Sequence, residues 1–275
     1  MSADAKVADD GEAVLLERHG NVVLMTLNRP SRANAWTPEM ESLYLSALTD
    51  LDDDGEVRAL VVTGAGRSYC AGADVGNLQV IGGMGANVTP GAGEACYVTA
   101  TLAFRKPVIA AINGACAGIG LAQALACDMR FAAVGAKLTT AYARRGLAAE
   151  DGVSWLLPRI VGYARARELL ISGRVVLGQE ALSLGLVHEV YESEELVTAA
   201  LAYATELATL CAPWSMAQIK QQLSDDVALS LNDAIADSWR RTVDALKRSD
   251  FQEGVASFTE RRPPKFSDLP ARELR

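Results

Sequence analysis

Apolar and polar positions change period several times along the chain, and each change marks an element. Residues 14–17 and 22–27 are rich in β-formers and flank Arg18-His19-Gly20-Asn21, the pattern of a β-hairpin. Thr37-Pro38 sets a capping hydroxyl before a proline at the first helical position. Met40, Leu43, Tyr44, Ala47, Leu48 and Leu51 then recur at helical spacing. Asp52-Asp53-Asp54-Gly55 stops that helix and reads as its solvated end. Continuous apolar runs at 60–63, 108–112 and 129–133 are short and read as buried strands. Helices are predicted at 94–104 and 120–126, with a glycine-rich mobile loop at 76–93. After Gly162 the pattern is almost wholly helical, at 164–172, 179–183, 194–211, a run from Pro213, 229–247 and 250–261. The alternation predicts an α/β fold of right-handed ββα units. It divides the chain into a mobile tail at 1–12, a core at 13–190 and a helical region at 191–275.

Half of the 275 residues are apolar, which permits a substantial core. The net charge of -8 argues against nucleic acid as a partner, because phosphate binding needs a concentrated basic surface. The acidic, Ala-rich start lacks the pattern of a secretory signal. The five cysteines form no C-x-x-C, so they are expected as reduced thiols in the cytoplasm. Residues 107–127 are apolar enough to suggest a membrane span, but Asn113, Gly114, Gly118, Gly120 and Gln123 interrupt them. A strand-loop-helix unit fits better. With only His19 and His188, neither in a cluster of ligand residues, no metal site or Ser-His-Asp triad is expected.

Two stretches of small residues follow the first two buried strands: Ser68-Tyr69-Cys70-Ala71-Gly72-Ala73-Asp74 and Asn113-Gly114-Ala115-Cys116-Ala117-Gly118-Ile119-Gly120-Leu121. Small residues let the backbone approach a ligand and present its N–H groups. Two such donors aimed at one carbonyl oxygen form an oxyanion hole. These motifs, with Asn28-Arg29-Pro30, Lys106-Pro107-Val108-Ile109-Ala110-Ala111-Ile112-Asn113-Gly114 and Leu157-Pro158-Arg159, resemble the crotonase superfamily, the enoyl-CoA hydratases and isomerases. The resemblance runs from about residue 22 to residue 266. It implies a spiral of ββα repeats with a helical C-terminal region that trimerises, usually as a dimer of trimers. It also implies an acyl-CoA thioester as substrate, with coenzyme A entering as part of that substrate and no separate cofactor.

Matched motif to motif, the oxyanion donors fall on the backbone N–H groups of Ala73 and Ile119. Hydratases of the family carry two glutamates; the matching positions here are Ala122 and Tyr142, and a tyrosine with a pKa near ~10 is a poor base at neutral pH. Residues 146–159 are similar to the segment in which several isomerases carry one catalytic carboxylate, which the match places at Glu150, with Asp151 as the neighbouring alternative. One carboxylate suffices to move a double bond, since it takes a proton from one carbon and returns it to another. Trp155 and Leu147 would form an apolar wall beside it; a surface ion pair of Glu150 with Arg144 or Arg145 is the competing reading. For coenzyme A, the resemblance implies Ala71 and Asp74 at the adenine, Gly118 in the glycine loop, and Arg29 and Arg32 at the phosphates. Lys265 and Phe266 would reach the adenine of a neighbouring subunit. The activity so implied is Δ3-to-Δ2 isomerisation. Enoyl-CoA hydration and non-catalytic acyl-CoA binding are the alternatives.

Overall fold

The computed structural model describes residues 11–74, 76 and 96–272. The expected tail, apart from residues 11 and 12, and nearly all of the glycine-rich loop lie outside the described residues. Strands β1 (Val14–His19) and β2 (Val22–Leu27) form the expected antiparallel hairpin. Helix α1 (Pro38–Asp53) opens on Thr37, whose Oγ1 accepts from the Met40 N–H at 3.2 Å. Met40, Tyr44, Ala47, Leu48 and Leu51 face inward. The acidic end of α1 is not simply solvated. Asp52 is buried and accepts from Arg105 Nε at 2.7 Å. Lys106, only 2% exposed, donates from Nζ to the carbonyls of Leu51 and Asp54. A buried cation there satisfies helix-end carbonyls that have no intrahelical partner.

Three strand pairs then follow: β3 (Ala59–Gly64) with β4 (Ser68–Cys70), β5 (Val108–Ile112) with β6 (Ala115–Ala117), and β7 (Met129–Ala133) with β8 (Lys137–Thr139). The first strand of each pair enters a six-stranded sheet of order β1-β2-β3-β5-β7-β10. The second enters a four-stranded sheet of order β4-β6-β8-β9. Here β9 is Val176–Leu177 and β10 is Glu189–Tyr191. Apart from the β1–β2 and β8–β9 pairs, neighbouring strands are parallel. Distributing successive strands over two sheets is the ββα spiral.

Asparagines brace the corners of the spiral. Asn113 Nδ2 donates to the carbonyl of Gly64 at 2.8 Å, and Asn34 Nδ2 donates to those of Ala65 and Ser68 at 2.9 and 2.7 Å. These bonds pair backbone groups that the tight turns leave without strand partners.

Helix α2 (Tyr97–Ala103) packs between α1 and α3 (Ile119–Ala126). Helix α3 is apolar except for Gln123 and is buried from Gly120 to its end. Gln123 fixes it: its Oε1 accepts from the Tyr69 hydroxyl, and its Nε2 donates to the Tyr44 hydroxyl at 2.9 Å. The five cysteines are unbridged.

Helices α4 (Val153–Val161), α5 (Tyr163–Ser172) and α6 (Gly178–Leu184) complete the central part. The C-terminal region holds α7 (Leu196–Leu210), α8 (Pro213–Asp226), α9 (Leu231–Leu246) and α10 (Ser249–Glu260). Helix α7 lays Leu196, Ala200, Ala204 and Ala208 on strands β2, β3 and β5. Its apolar stripe therefore serves the chain's own core. The exposed apolar face sits instead on the later helices, where Trp239 is 66% and Phe258 87% exposed. Among the described residues, no single helix is long and apolar enough to cross a membrane.

Candidate active site

The two small-residue loops meet at one cavity. Residues 71–73, after β4, and residues 117–119, between β6 and α3, line it together with Thr140, Ala141, Tyr142, Arg145, Leu147 and Glu150. Its volume is about 100 Å³. The loops approach so closely that a Cβ on Gly72 would lie 3.1 Å from the Ala117 carbonyl oxygen. Gly118 has φ 50° and ψ -116°, a conformation that side chains resist, and it turns the chain directly into α3.

The state of the backbone donors follows from this geometry. The bridge between Trp36 and Ala73 uses the Trp36 N–H to the Gly72 carbonyl and the Asp74 N–H to the Trp36 carbonyl. The Ala73 N–H takes no part in it. The Ile119 N–H lies in the first turn of α3, where no intrahelical acceptor exists. Among the described residues, neither N–H donates to a protein carbonyl. Both stand at the cavity, and the second also carries the positive end of the helix dipole.

The carboxylates lie on the loop between the 3₁₀ turn Ala143–Arg145 and α4. Glu150 lines the cavity. Partial burial, and then the neighbouring Asp151 carboxylate, push its pKa above the ordinary glutamate value. Its carboxylate forms no ion pair with Arg144 or Arg145; Arg144 instead donates from Nε to the Ser172 carbonyl at 2.8 Å. Asp151 accepts a hydrogen bond from the Tyr97 hydroxyl and takes φ 52°. Tyr142 is 5% exposed, and its hydroxyl has no hydrogen-bond partner among the described residues. Burial and the two carboxylates raise its pKa, so it is a phenol and not a base. Ala122 is buried inside α3 and contributes no acid. The cavity thus offers one carboxylate at its wall and a second beside it, held by a tyrosine.

Other expected residues are less simply placed. Leu147 lines the cavity, but Trp155 does not; its ring lies under the Arg159 guanidinium, 3.8 Å from the centroid. Arg29 and Asp74, both expected at coenzyme A, pair with each other at 3.3 Å, and Arg29 also donates to the Ala35 carbonyl at 2.6 Å. They brace the loop that carries Ala73. Arg32 is exposed on the 3₁₀ turn Pro30–Arg32. Lys265 and Phe266 lie outside the cavity of their own chain. Phe266 lines a separate apolar hollow of about 510 Å³ with Trp214, Phe251 and Phe258. Of the histidines, His19 faces Glu17 at 3.1 Å, and His188 Nδ1 accepts from the Arg130 N–H at 3.1 Å.

A family model described as enoyl-CoA hydratase/isomerase matches residues 17–269. The chain belongs to the enoyl-CoA hydratase/isomerase family. It is 33% identical over 266 residues to the 1,2-epoxyphenylacetyl-CoA isomerase of Escherichia coli, covering 93% of this chain and 98% of that one. It is 32% identical over 260 residues to a probable enoyl-CoA hydratase of Mycobacterium tuberculosis, with 93% and 98% covered. The crystal structure of an enoyl-CoA hydratase from a Polaromonas species superposes with a TM-score of 0.86 at 32% identity, covering 92% of this chain and 99% of that one. Family members bear both isomerase and hydratase names, so the family fixes the class of enzyme and leaves the reaction to the site.

Three features of this enoyl-CoA hydratase/isomerase site escape sequence reasoning. Arg145 lines the cavity without a side-chain partner among the described residues, whereas in sequence it reads only as a candidate surface ion-pair partner of Glu150. Thr140 lies in an unremarked stretch after β8. Tyr97 is 54 residues from the Asp151 it holds, and no local pattern signals such a contact.

Proposed function

We propose that the protein is an acyl-CoA isomerase that works with a single carboxylate. The thioester carbonyl oxygen sits between the Ala73 and Ile119 N–H groups. Glu150 removes a proton from Cα of a 3-enoyl-CoA, and the charge spreads to the thioester oxygen as a dienolate, where the two donors stabilise it. The protonated Glu150 then returns the proton to Cγ, and the double bond has moved from Δ3 to Δ2. No atom is gained or lost, and no water is required.

The observation that carries this reading is the pairing, in one cavity, of two unengaged backbone donors with a single wall carboxylate at Glu150. Hydration by the two-glutamate route finds no carboxylate at Ala122 or Tyr142. The raised pKa of Glu150 suits a group that must both take and return a proton. The Escherichia coli relative is named an isomerase of an acyl-CoA, which supports isomerisation as the reaction class, although its named substrate is an epoxide and not a 3-enoyl-CoA. Enoyl-CoA hydration is the second reading, favoured by the hydratase names of other relatives.

The test assays a 3-enoyl-CoA and, separately, a 2-enoyl-CoA in water. Glu150→Gln keeps the size and removes the base. It is expected to lower isomerisation by about 10²-fold or more while changing acyl-CoA affinity only a few-fold. Fast hydration that survives Glu150→Gln would overturn both the role of Glu150 and the isomerase reading. Binding without turnover by the unmodified protein would favour a non-catalytic acyl-CoA-binding subunit.

A further inference from the structure

Tyr142 lines the cavity, and this mechanism leaves it without work. Its hydroxyl is shielded from water with no hydrogen-bond partner among the described residues. Leaving a buried hydroxyl unpaired costs about 1–3 kcal/mol. The neighbouring tyrosine shows the contrast, since the Tyr97 hydroxyl is spent on Asp151. Leu147 and Glu150 line the same cavity as Tyr142 and are exposed, so an acyl group that displaced either side chain would reach the hydroxyl.

We infer that Tyr142 is a specificity-determining residue whose hydroxyl donates to an uncharged oxygen on the acyl group of the substrate. This inference rests on the acyl-CoA reading above and names the substrate class: an acyl thioester that carries a hydroxyl, carbonyl or ether oxygen close to the reacting carbons. A donor role follows from the surroundings. With Glu150 and Asp151 near it, the phenol keeps its proton and seeks an acceptor. The same two carboxylates repel an anionic acyl group, which makes the acceptor neutral. Tyr142 and Glu150 line the same cavity, which places that oxygen near the carbons that exchange the proton. A site that hydrogen-bonds a substrate oxygen discriminates strongly against the analogue that lacks it, because the protein group is then left buried and unpaired.

The experiment measures the affinities of butyryl-CoA, 3-hydroxybutyryl-CoA and 4-hydroxybutyryl-CoA by calorimetry, with the unmodified protein and with Tyr142→Phe. Saturated thioesters separate binding from isomerisation. The unmodified protein is expected to bind at least one hydroxylated thioester about tenfold or more tightly than butyryl-CoA. Tyr142→Phe, which removes only the hydroxyl, is expected to bring that ratio to about one. Equal affinities for all three ligands in the unmodified protein, or a preference that survives Tyr142→Phe, would overturn the proposal. Failure to bind any of the three would overturn the acyl-CoA reading and this inference with it.

Discussion

Glu150 and Asp151 are adjacent acids with different tasks. Asp151 is fixed by the Tyr97 hydroxyl, whereas Glu150 stands at the cavity wall with no side-chain partner among the described residues. The charge of Asp151 helps hold the Glu150 pKa above its ordinary value. The base must be ionised to act, so kcat/KM should fall as pH drops through this raised pKa. Asp151→Asn removes one of the two causes of the shift. Asparagine tolerates the left-handed backbone at 151 and still accepts from Tyr97. The acidic limb of the pH profile should therefore move to lower pH with the maximal rate largely kept. An unmoved limb, or one displaced upward, would contradict the coupling. Collapse of the rate at every pH would show that Asp151 itself is the base.

At the scale of elements, the site depends on how closely α3 lies against β4. A Cβ on residue 120 would fall 2.3 Å from the Cys70 carbonyl oxygen, so Gly120 sets that distance. Gly120→Ala forces the helix away and carries the Ile119 N–H with it. The expected cost is about 1–3 kcal/mol of stability, read as a lower denaturation midpoint, with a large loss of isomerisation. A variant as stable and as active as the parent would contradict this account of the loop.

The buried strands, the Thr37 cap and the later helices were legible in the sequence because each carries a local signal. The second sheet was not. Strands β4, β6 and β8 have three residues each, too few to show a period, and they lie in stretches that read as loops. That Ala73, Ile119 and Glu150 share one cavity is legible through motif resemblance alone. The acidic end of α1 was misread because its partners, Arg105 and Arg272, come from distant segments.

At the scale of the whole molecule, the C-terminal chain returns to the core. Arg58 donates to the carbonyls of Ala208 and Phe266 at 3.1 and 2.8 Å, and Arg272 meets Asp52 at 2.6 Å. Yet α9 has no buried residue and exposes Leu231, Ile235, Trp239 and Val243, and an apolar hollow lined by Trp214, Phe251 and Phe258 opens between α8 and α10. Monomeric proteins rarely leave so large an apolar face in water. Self-association through α8, α9 and α10 is therefore expected, in agreement with the trimer that the family resemblance implies. Light scattering should show an oligomer at micromolar concentration, and Trp239→Glu should weaken it while the chain stays folded. A folded, well-behaved monomer of the unmodified chain would contradict this assignment.

The central claim is that one thioester oxygen lies between two backbone donors while Glu150 faces the carbons that exchange the proton. The most direct measurement is a crystal structure of Glu150→Gln with a bound 3-enoyl-CoA. The account predicts the thioester oxygen at roughly 2.7–3.1 Å from both the Ala73 and the Ile119 nitrogens, with the residue 150 side chain against Cα and Cγ. A thioester bound elsewhere, either N–H engaged by a protein carbonyl, or Asp151 in place of residue 150 against those carbons would contradict it.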